Sequence, residues 1–284
     1  MAWTITARML SGEGVTVPCD PGELVADLRQ RLQVRVKAPL AGLMIDGVPL
    51  SDSATLTAAG LRDAAEVAVV AATKMRVKAH KYGFGFAAVK TDGTLQVWGH
   101  PSFFELSSEQ QAAFKDVLEV YLSETAVAAI RVDGSVVAAG DSEGGGSCSS
   151  IEEDLADVVH IQPSSSAFAA LRADGRVVCW GIPGSGGDAS AVKSQLVGVK
   201  QLFASQYAFA ALTHSGKVVT WGDAECGGDS GRLERVKHIV ASSAAFAAIR
   251  DDGSVVTWGQ PEAGGDSAGV QEQLRQGKQV FASK

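Results

Sequence analysis

The chain has 284 residues, of which 46% are hydrophobic and 20% are charged, as in a soluble globular protein with one large or two ordinary domains. The formal net charge of −7 argues against a surface that binds nucleic acid or an anionic membrane, and no apolar run reaches the length of a membrane span. Four cysteines without paired spacing and a first segment without a signal-peptide pattern favour a reducing, intracellular setting. We therefore expect a cytoplasmic protein, with the nucleus as a second location.

Residues 1–74 predict a small α+β domain of their own, because they do not share the pattern of the later chain. Residues 3–9 alternate between polar and apolar types and predict a strand, and residues 15–19 predict a second strand after a turn. Further strands are expected at 42–46 and 66–72.

A helix is expected between the second and third of these strands. Asp20, Pro21 and Glu23 are typical of a first helical turn, with an aspartate cap, a proline at the first helical position and a glutamate three residues after the cap. Leu24, Val25, Leu28 and Leu32 then lie on one apolar face.

This order, together with LMIDGVPLSD at 43–52 and TLTAAGL at 55–61, resembles ubiquitin-like β-grasp domains. The resemblance implies an exposed protein-binding patch formed by Leu10, Met44 and Val70, although one or two of these residues could instead pack locally. Residues 70–74 lack the family's terminal glycine pair, so the resemblance implies a built-in module and not a conjugated modifier.

The segment AFAAIRDDGSVVTWG at 245–259 is one of five copies of a repeat, and the others lie at 85–99, 126–140, 167–181 and 208–222. Each copy predicts a β-hairpin, because an apolar run and a β-branched run flank an Asp-Gly or Ser-Gly turn. An apolar segment before each copy predicts a third strand, and one more such segment ends the sequence; these lie at 75–80, 117–122, 158–161, 199–204, 236–241 and 279–283.

The steps from 85 to 126, 126 to 167 and 167 to 208 are 41 residues, and the step from 208 to 245 is 37. Such a period indicates a propeller, a solenoid or an array. We therefore expect a propeller-like all-β domain at 75–284, with about five three-stranded repeats of roughly 41 residues. The repeats could close as a ring, form an open arc, or be completed by further chain or a second copy.

The repeat is similar to that of the regulator of chromosome condensation family, and most closely to its compact three-stranded variants. The shared features are the apolar strand, the Asp-Gly turn, a strand that ends in Trp-Gly, and a glycine-rich loop. The tryptophan position holds Trp98, Ala139, Trp180, Trp221 and Trp258. The four tryptophans could form an exposed aromatic ring for ligands, but their fixed place at a strand end favours packing between blades. The resemblance implies a β-propeller.

The connections between repeats predict helices and loops. Asp188 and Asp266 follow glycine pairs and should cap short helices near 192–196 and 270–274, and Ser107 with Gln110 predicts a capping box. The glycine- and serine-rich segment 143–150 predicts a flexible surface loop.

No motif predicts catalytic residues, a cofactor site or a metal site. The GxGxxA pattern at 83–88 is followed by a strand and not by a helix, and the five histidines have no metal-ligand spacing. The repeated Gly-Gly-Asp offers too few oxygen ligands for calcium.

We therefore expect a non-enzymatic protein-interaction adaptor in the ubiquitin/proteasome pathway. Its ubiquitin-like module would be recognised by receptors or ligases of that pathway, and its repeat loops would bind another protein. The alternative is a regulator of a small GTPase, of the guanine-nucleotide exchange type, or a protein inhibitor, acting through the propeller face.

Overall fold

A computed structural model describes residues 3–9, 13–38, 40–71, 76–79, 83–274 and 280–282. The expected boundary between residues 74 and 75 lies outside these ranges. The described residues form one mixed five-stranded sheet and five three-stranded sheets.

The N-terminal part is the five-stranded sheet with one long helix. The strands are β1 (Trp3–Arg8), β2 (Gly14–Cys19), β3 (Leu40–Ile45), β4 (Val48–Pro49) and β5 (Glu66–Ala71), and the helix is α1 (Val25–Val36). The strand order is β2-β1-β5-β3-β4, in which β1 and β5 are parallel and the other pairs are antiparallel. The predicted opening hairpin, helix and later strands are confirmed.

Three of the four residues predicted for the apolar face of α1, Val25, Leu28 and Leu32, are fully buried against the sheet, whereas Leu24 precedes the helix and is half-buried. The predicted helix start is wrong. Helix α1 begins at Val25 without a side-chain cap, and Asp20 instead closes a turn by accepting a hydrogen bond from the Gly22 N–H at 3.0 Å. Residues 20–24 form this turn because their backbone is tied to the later loop, where the Leu56 N–H donates to the Glu23 carbonyl at 2.9 Å.

The repeat region forms five blades, each an antiparallel three-stranded sheet. We call the strands inner, middle and outer in chain order. Blade 1 has β6 (Arg76–Ala79), β7 (Gly85–Val89) and β8 (Leu95–Gly99); blade 2 has β9 (Val117–Leu122), β10 (Ala126–Arg131) and β11 (Val136–Gly140); blade 3 has β12 (Val158–Pro163), β13 (Ala167–Arg172) and β14 (Val177–Gly181); blade 4 has β15 (Val199–Ala204), β16 (Ala208–Thr213) and β17 (Val218–Gly222); blade 5 has β18 (Val236–Ala241), β19 (Ala245–Arg250) and β20 (Val255–Gly259).

The hairpin turns form as predicted. In blade 5 the Asp252 carboxylate accepts from the backbone N–H and the hydroxyl of Ser254, at 2.9 and 2.6 Å, while Gly253 adopts a φ of +79°. Both hydrogen bonds lower the pKa of Asp252, and the bond from the Ser254 hydroxyl has the larger effect. Such a turn suits aspartate and glycine because a short acceptor and a residue without Cβ are both needed.

Successive blades share apolar layers. Alternate residues of each middle strand face the next blade, so Ala167, Ala169 and Leu171 of blade 3 pack with Phe209 and Ala211 of blade 4. The other blade contacts follow the same plan, which explains the many alanines in the repeat. Each pair of neighbouring blades thereby buries an apolar layer that one hairpin could not bury alone.

A series of backbone hydrogen bonds also joins the blades at the ends of the inner strands. The Glu124 N–H donates to the Ser165 carbonyl at 3.0 Å, the Ser165 N–H to the Gln206 carbonyl at 2.9 Å, and the Gln206 N–H to the Ser243 carbonyl at 2.7 Å.

The connections differ in part from expectation. The Ser107/Gln110 capping box is confirmed and opens α3 (Ser108–Ala113), which follows α2 (Pro101–Phe104). The predicted helix near 192–196 is a 3-10 helix, Ser190–Gln195, and Asp188 accepts from its first N–H at 2.8 Å. The second, near 270–274, is a shorter 3-10 helix, Ala268–Val270, and Asp266 accepts from the Ala268 N–H at 2.8 Å.

The prediction of a flexible surface loop at 143–150 is wrong. Gly144, Gly145, Gly146 and Cys148 are buried, because this segment fills the space between blades 2 and 3. Of the final predicted strand, residues 280–282 are described and have no regular secondary structure.

Candidate protein-binding surfaces

Helix α1 lies between its own sheet and the inner strands of the blades. Val34 packs against the apolar layer between blades 3 and 4, and the Asp27 carboxylate accepts from the Gln201 side-chain amide at 2.6 Å. Next to the helix, the Lys200 ammonium lies 3.1 Å from the Asp20 carboxylate. The N-terminal domain is therefore docked on the blades through its helix.

Gln33 and Glu119 form the most buried polar contact of this interface. Gln33 is fully buried, its amide donates to the Glu119 carboxylate at 3.3 Å, and its carbonyl oxygen accepts from the Leu40 N–H at 2.8 Å. Glu119 also lies 3.1 Å from the Arg76 guanidinium and 3.4 Å from the Lys78 ammonium. The buried carboxylate is thus neutralised by two cations and hydrogen-bonded, as a buried charge requires.

Tyr121 links this interface to a cavity inside the blades. Its hydroxyl accepts a hydrogen bond from the Gln30 amide of α1, and its ring meets the His160 ring edge-on with centroids 5.5 Å apart. Burial is the main reason that the pKa of Tyr121 is raised and that of His160 lowered. Both side chains are therefore neutral near pH 7.

The cavity has a volume of about 420 Å³ and is lined by the inner strands of all five blades and the residues that follow them. Its polar lining comes mainly from neutral groups, among them Gln162, Ser165, Gln206 and Ser243, together with Lys78. Such a lining can donate and accept hydrogen bonds to a peptide.

Two of the three predicted patch residues lie on the sheet face opposite α1. In the register of β3 and β5, Met44 pairs with Ala68 and Gly42 pairs with Val70, which makes Met44 and Val70 diagonal neighbours on one face. Val70 is 37% exposed and Met44 is half-buried. Leu10, the third predicted residue, lies outside the described residues.

The rest of this outer face is open and mostly polar. Ala68 is exposed, and Arg8 and Glu66 form a two-pronged ion pair with N–O distances of 2.7 Å, each side chain being 54% exposed. An apolar pair bordered by exposed charges suits a small protein-binding surface.

The cysteines are free thiols and poor nucleophiles. Burial raises the pKa of Cys19 to about 11 and also raises that of Cys179. Within the described ranges, no group of three or more histidine, cysteine, aspartate or glutamate residues could hold a metal ion. None of the described helices is long and apolar enough to cross a membrane.

The role of the glycine pairs was not evident from the sequence. In the segments 141–146, 182–187, 223–228 and 260–265, which we call glycine loops, the pair follows the outer strand of blades 2 to 5. The Trp180, Trp221 and Trp258 indoles each donate to the first glycine carbonyl of the preceding loop, at 2.9 to 3.0 Å. The sequence signal for this contact is that the glycine pair and the tryptophan recur in phase along the repeats.

No protein-family model matches the chain, and no curated protein matches it. Among solved structures, it is similar to yeast RCC1 (Prp20) bound to Kap60, with 16% identity over 62% of this chain and 54% of that one and a TM-score of 0.42. It is also similar to human WBSCR16, with 17% identity over 90% and 76% of the two chains and a TM-score of 0.44. A third similar structure is the ubiquitin-like domain of Plasmodium falciparum Dsk2, with 24% identity over 25% of this chain and 100% of that one and a TM-score of 0.24. The chain thus spans about half the length of the yeast protein.

Proposed function

We propose that the protein is a non-enzymatic interaction adaptor, in which a ubiquitin-like module is held on a five-bladed propeller-like domain. The observation that carries this proposal is the orientation of the N-terminal domain. Its helix faces the blades through Asp27, Gln30 and Gln33, so the opposite sheet face with Met44 and Val70 points outward. The sheet order and the single helix across the sheet support the ubiquitin-like assignment of this module.

The partner of the outer face would be a receptor or ligase of the ubiquitin pathway. Such a partner would cover the apolar pair Met44 and Val70 and meet the exposed charges of Arg8 and Glu66 at the rim. A cytoplasmic or nuclear location belongs to the same proposal.

A binding titration of the full chain against a purified ubiquitin-associated domain and a purified proteasomal ubiquitin receptor tests this. Met44→Glu/Val70→Glu should weaken binding at least tenfold, because two carboxylates would be desolvated in the contact. Val197→Glu, at a 54% exposed position on the blades, is the matched control and should bind like the wild type. Absence of binding by the wild type, or equal binding by all three proteins, would refute the ubiquitin-pathway assignment.

The alternative is regulation of a small GTPase, or inhibition of an enzyme, through the blades. The open cavity at the ends of the inner strands supports a role of the blades in binding a protein segment. Release of a fluorescent guanine nucleotide from purified small GTPases, with and without the full chain, tests the exchange activity. Acceleration that survives Met44→Glu/Val70→Glu would favour this alternative over the ubiquitin-pathway adaptor.

A further inference from the structure

Three internal blade contacts repeat one arrangement of aromatic rings and glycine. In blades 3, 4 and 5 a phenylalanine of the middle strand stacks on the tryptophan of the outer strand, with centroids 5.2 to 5.3 Å apart. The glycine loop of the preceding blade covers this stack, so the phenylalanines are at most 1% exposed and the tryptophans at most 7%. The indole N–H groups donate to the loop, as described above.

Blade 1 carries the same stack without a cover. Phe86 and Trp98 are stacked with centroids 5.6 Å apart, yet they are 47% and 44% exposed. Among the described residues, none accepts a hydrogen bond from the Trp98 indole N–H. Phe84, just before the middle strand, is 52% exposed and packs on Phe103 with ring centroids 5.7 Å apart. We call Phe86 and Trp98 the head surface.

Blade 5 carries the opposite half of the arrangement. Gly264 and Gly227 have the same φ, +96°. A Cβ built on Gly227 would lie 2.5 Å from the Phe246 ring of the next blade. A Cβ built on Gly264 would meet no described atom within 4 Å. Ala247 is half-buried, while its counterparts Ala169 and Ala210 in blades 3 and 4 are fully buried. We call the glycine loop 260–265 with Ala247 the tail surface.

We propose that the head surface of one copy of the chain binds the tail surface of a second copy. The loop 260–265 would cover Phe86 and Trp98, and the Trp98 indole N–H would donate to the Gly264 carbonyl. The partner is a second copy because this chain itself carries both halves of a contact that it makes three times internally. Such a head-to-tail contact closes into a ring where the rotation permits and otherwise extends as an open assembly.

Sedimentation of the full chain over a range of concentrations, with two variants that each block one surface, tests the proposal. Trp98→Asp places a charge on the head surface, and Gly264→Asn places a side chain on the tail surface with a residue that tolerates positive φ. The wild type should associate as concentration rises, and each variant alone should weaken association at least tenfold.

An equimolar mixture of the two variants gives the sharpest result. Trp98→Asp keeps its tail surface and Gly264→Asn keeps its head surface, so the mixture should form a heterodimer that does not extend. Val197→Ser, at an exposed position away from both surfaces, should behave like the wild type. A wild type that stays monomeric at all concentrations, an assembly unaffected by either variant, or a mixture that stays monomeric would each overturn the proposal.

Discussion

The side-chain amide of Gln33 in helix α1 donates to the carboxylate of Glu119 in the inner strand of blade 2, across 86 positions of sequence. Both side chains are buried, and Gln33 also satisfies the N–H of Leu40 at the start of β3. The side-chain amide of Gln33 therefore connects helix α1 both to the sheet of its own domain and to blade 2.

Gln33→Ala should lower the free energy of unfolding by about 2–4 kcal/mol, because it leaves the Leu40 N–H and part of the Glu119 carboxylate unpaired in a buried site. Urea denaturation measures this loss, and limited proteolysis between the two domains should become faster. Arg35→Ala, at an exposed position of the same helix, is the control and should stay within about 0.5 kcal/mol of the wild type. Equal stabilities of the two variants would show that the contact does not hold the domains together.

The indole N–H groups should differ in their contribution to stability according to their place in the chain. Trp221→Phe removes the bond to the Gly186 carbonyl, which is buried between blades, and should cost about 1–2 kcal/mol. Trp98→Phe should cost less than about 0.5 kcal/mol, since that N–H has no acceptor among the described residues. Denaturation at low protein concentration compares the two, and a similar cost for both would contradict the assigned role of the bond.

Alanine substitutions at Gly227 and Gly264 distinguish the cost of backbone strain from that of steric overlap, because both glycines have a φ of +96°. Gly264→Ala should cost about 1–2 kcal/mol, the penalty of a left-handed backbone for an L-residue. Gly227→Ala should cost about 1–3 kcal/mol more, because its Cβ would overlap the Phe246 ring. Thermal unfolding at low concentration gives the difference, and a difference near zero would mean that the blades can separate to admit the methyl group.

Stability should depend on pH through Glu23. Burial raises the pKa of Glu23 to about 7 despite the ion pair with Arg31, so the folded state favours the protonated form. Stability from this group is present below about pH 4.5, its ordinary pKa, and is lost as pH rises through about 7. The free energy of unfolding should therefore fall by about 1–3 kcal/mol between pH 4.5 and 8.

Glu23→Gln should remove most of this fall, because its side chain is neutral at both pH values. Urea denaturation at pH 4.5 and pH 8 compares it with the wild type and with Glu13→Gln at an exposed position. If the wild type and Glu23→Gln lose the same stability over this range, another group is responsible.

The repeat was predictable because its signals are local. The Asp252-Gly253 turn, flanked by an apolar run and a β-branched run, predicts a hairpin within 15 residues, and the five copies repeat this pattern in phase. The capping box of Ser107 and Gln110 is equally local and is predictable for the same reason.

The contacts between elements were not predictable from such signals. Gln33 is one of several polar residues of an amphipathic helix, and nothing in the local sequence distinguishes it from a solvated glutamine. Segment 143–150 has the composition of a flexible loop, but Gly145 is needed where the Phe168 ring of the next blade leaves no space for a Cβ. The expectation that Trp98 packs between blades is wrong, because among the described residues no glycine loop covers this side chain, and the sequence around Trp98 does not show that.

The amide series from Glu124 through Ser165 to Gln206 has a dynamic consequence. Each of these N–H groups reaches the carbonyl of the following blade, so it exchanges its hydrogen with solvent only when those two blades part. Because each blade contacts only its neighbours, opening should begin at the terminal blades and move inward. The exchange rates of these three amides therefore report which of the contacts between blades 2 and 5 have opened.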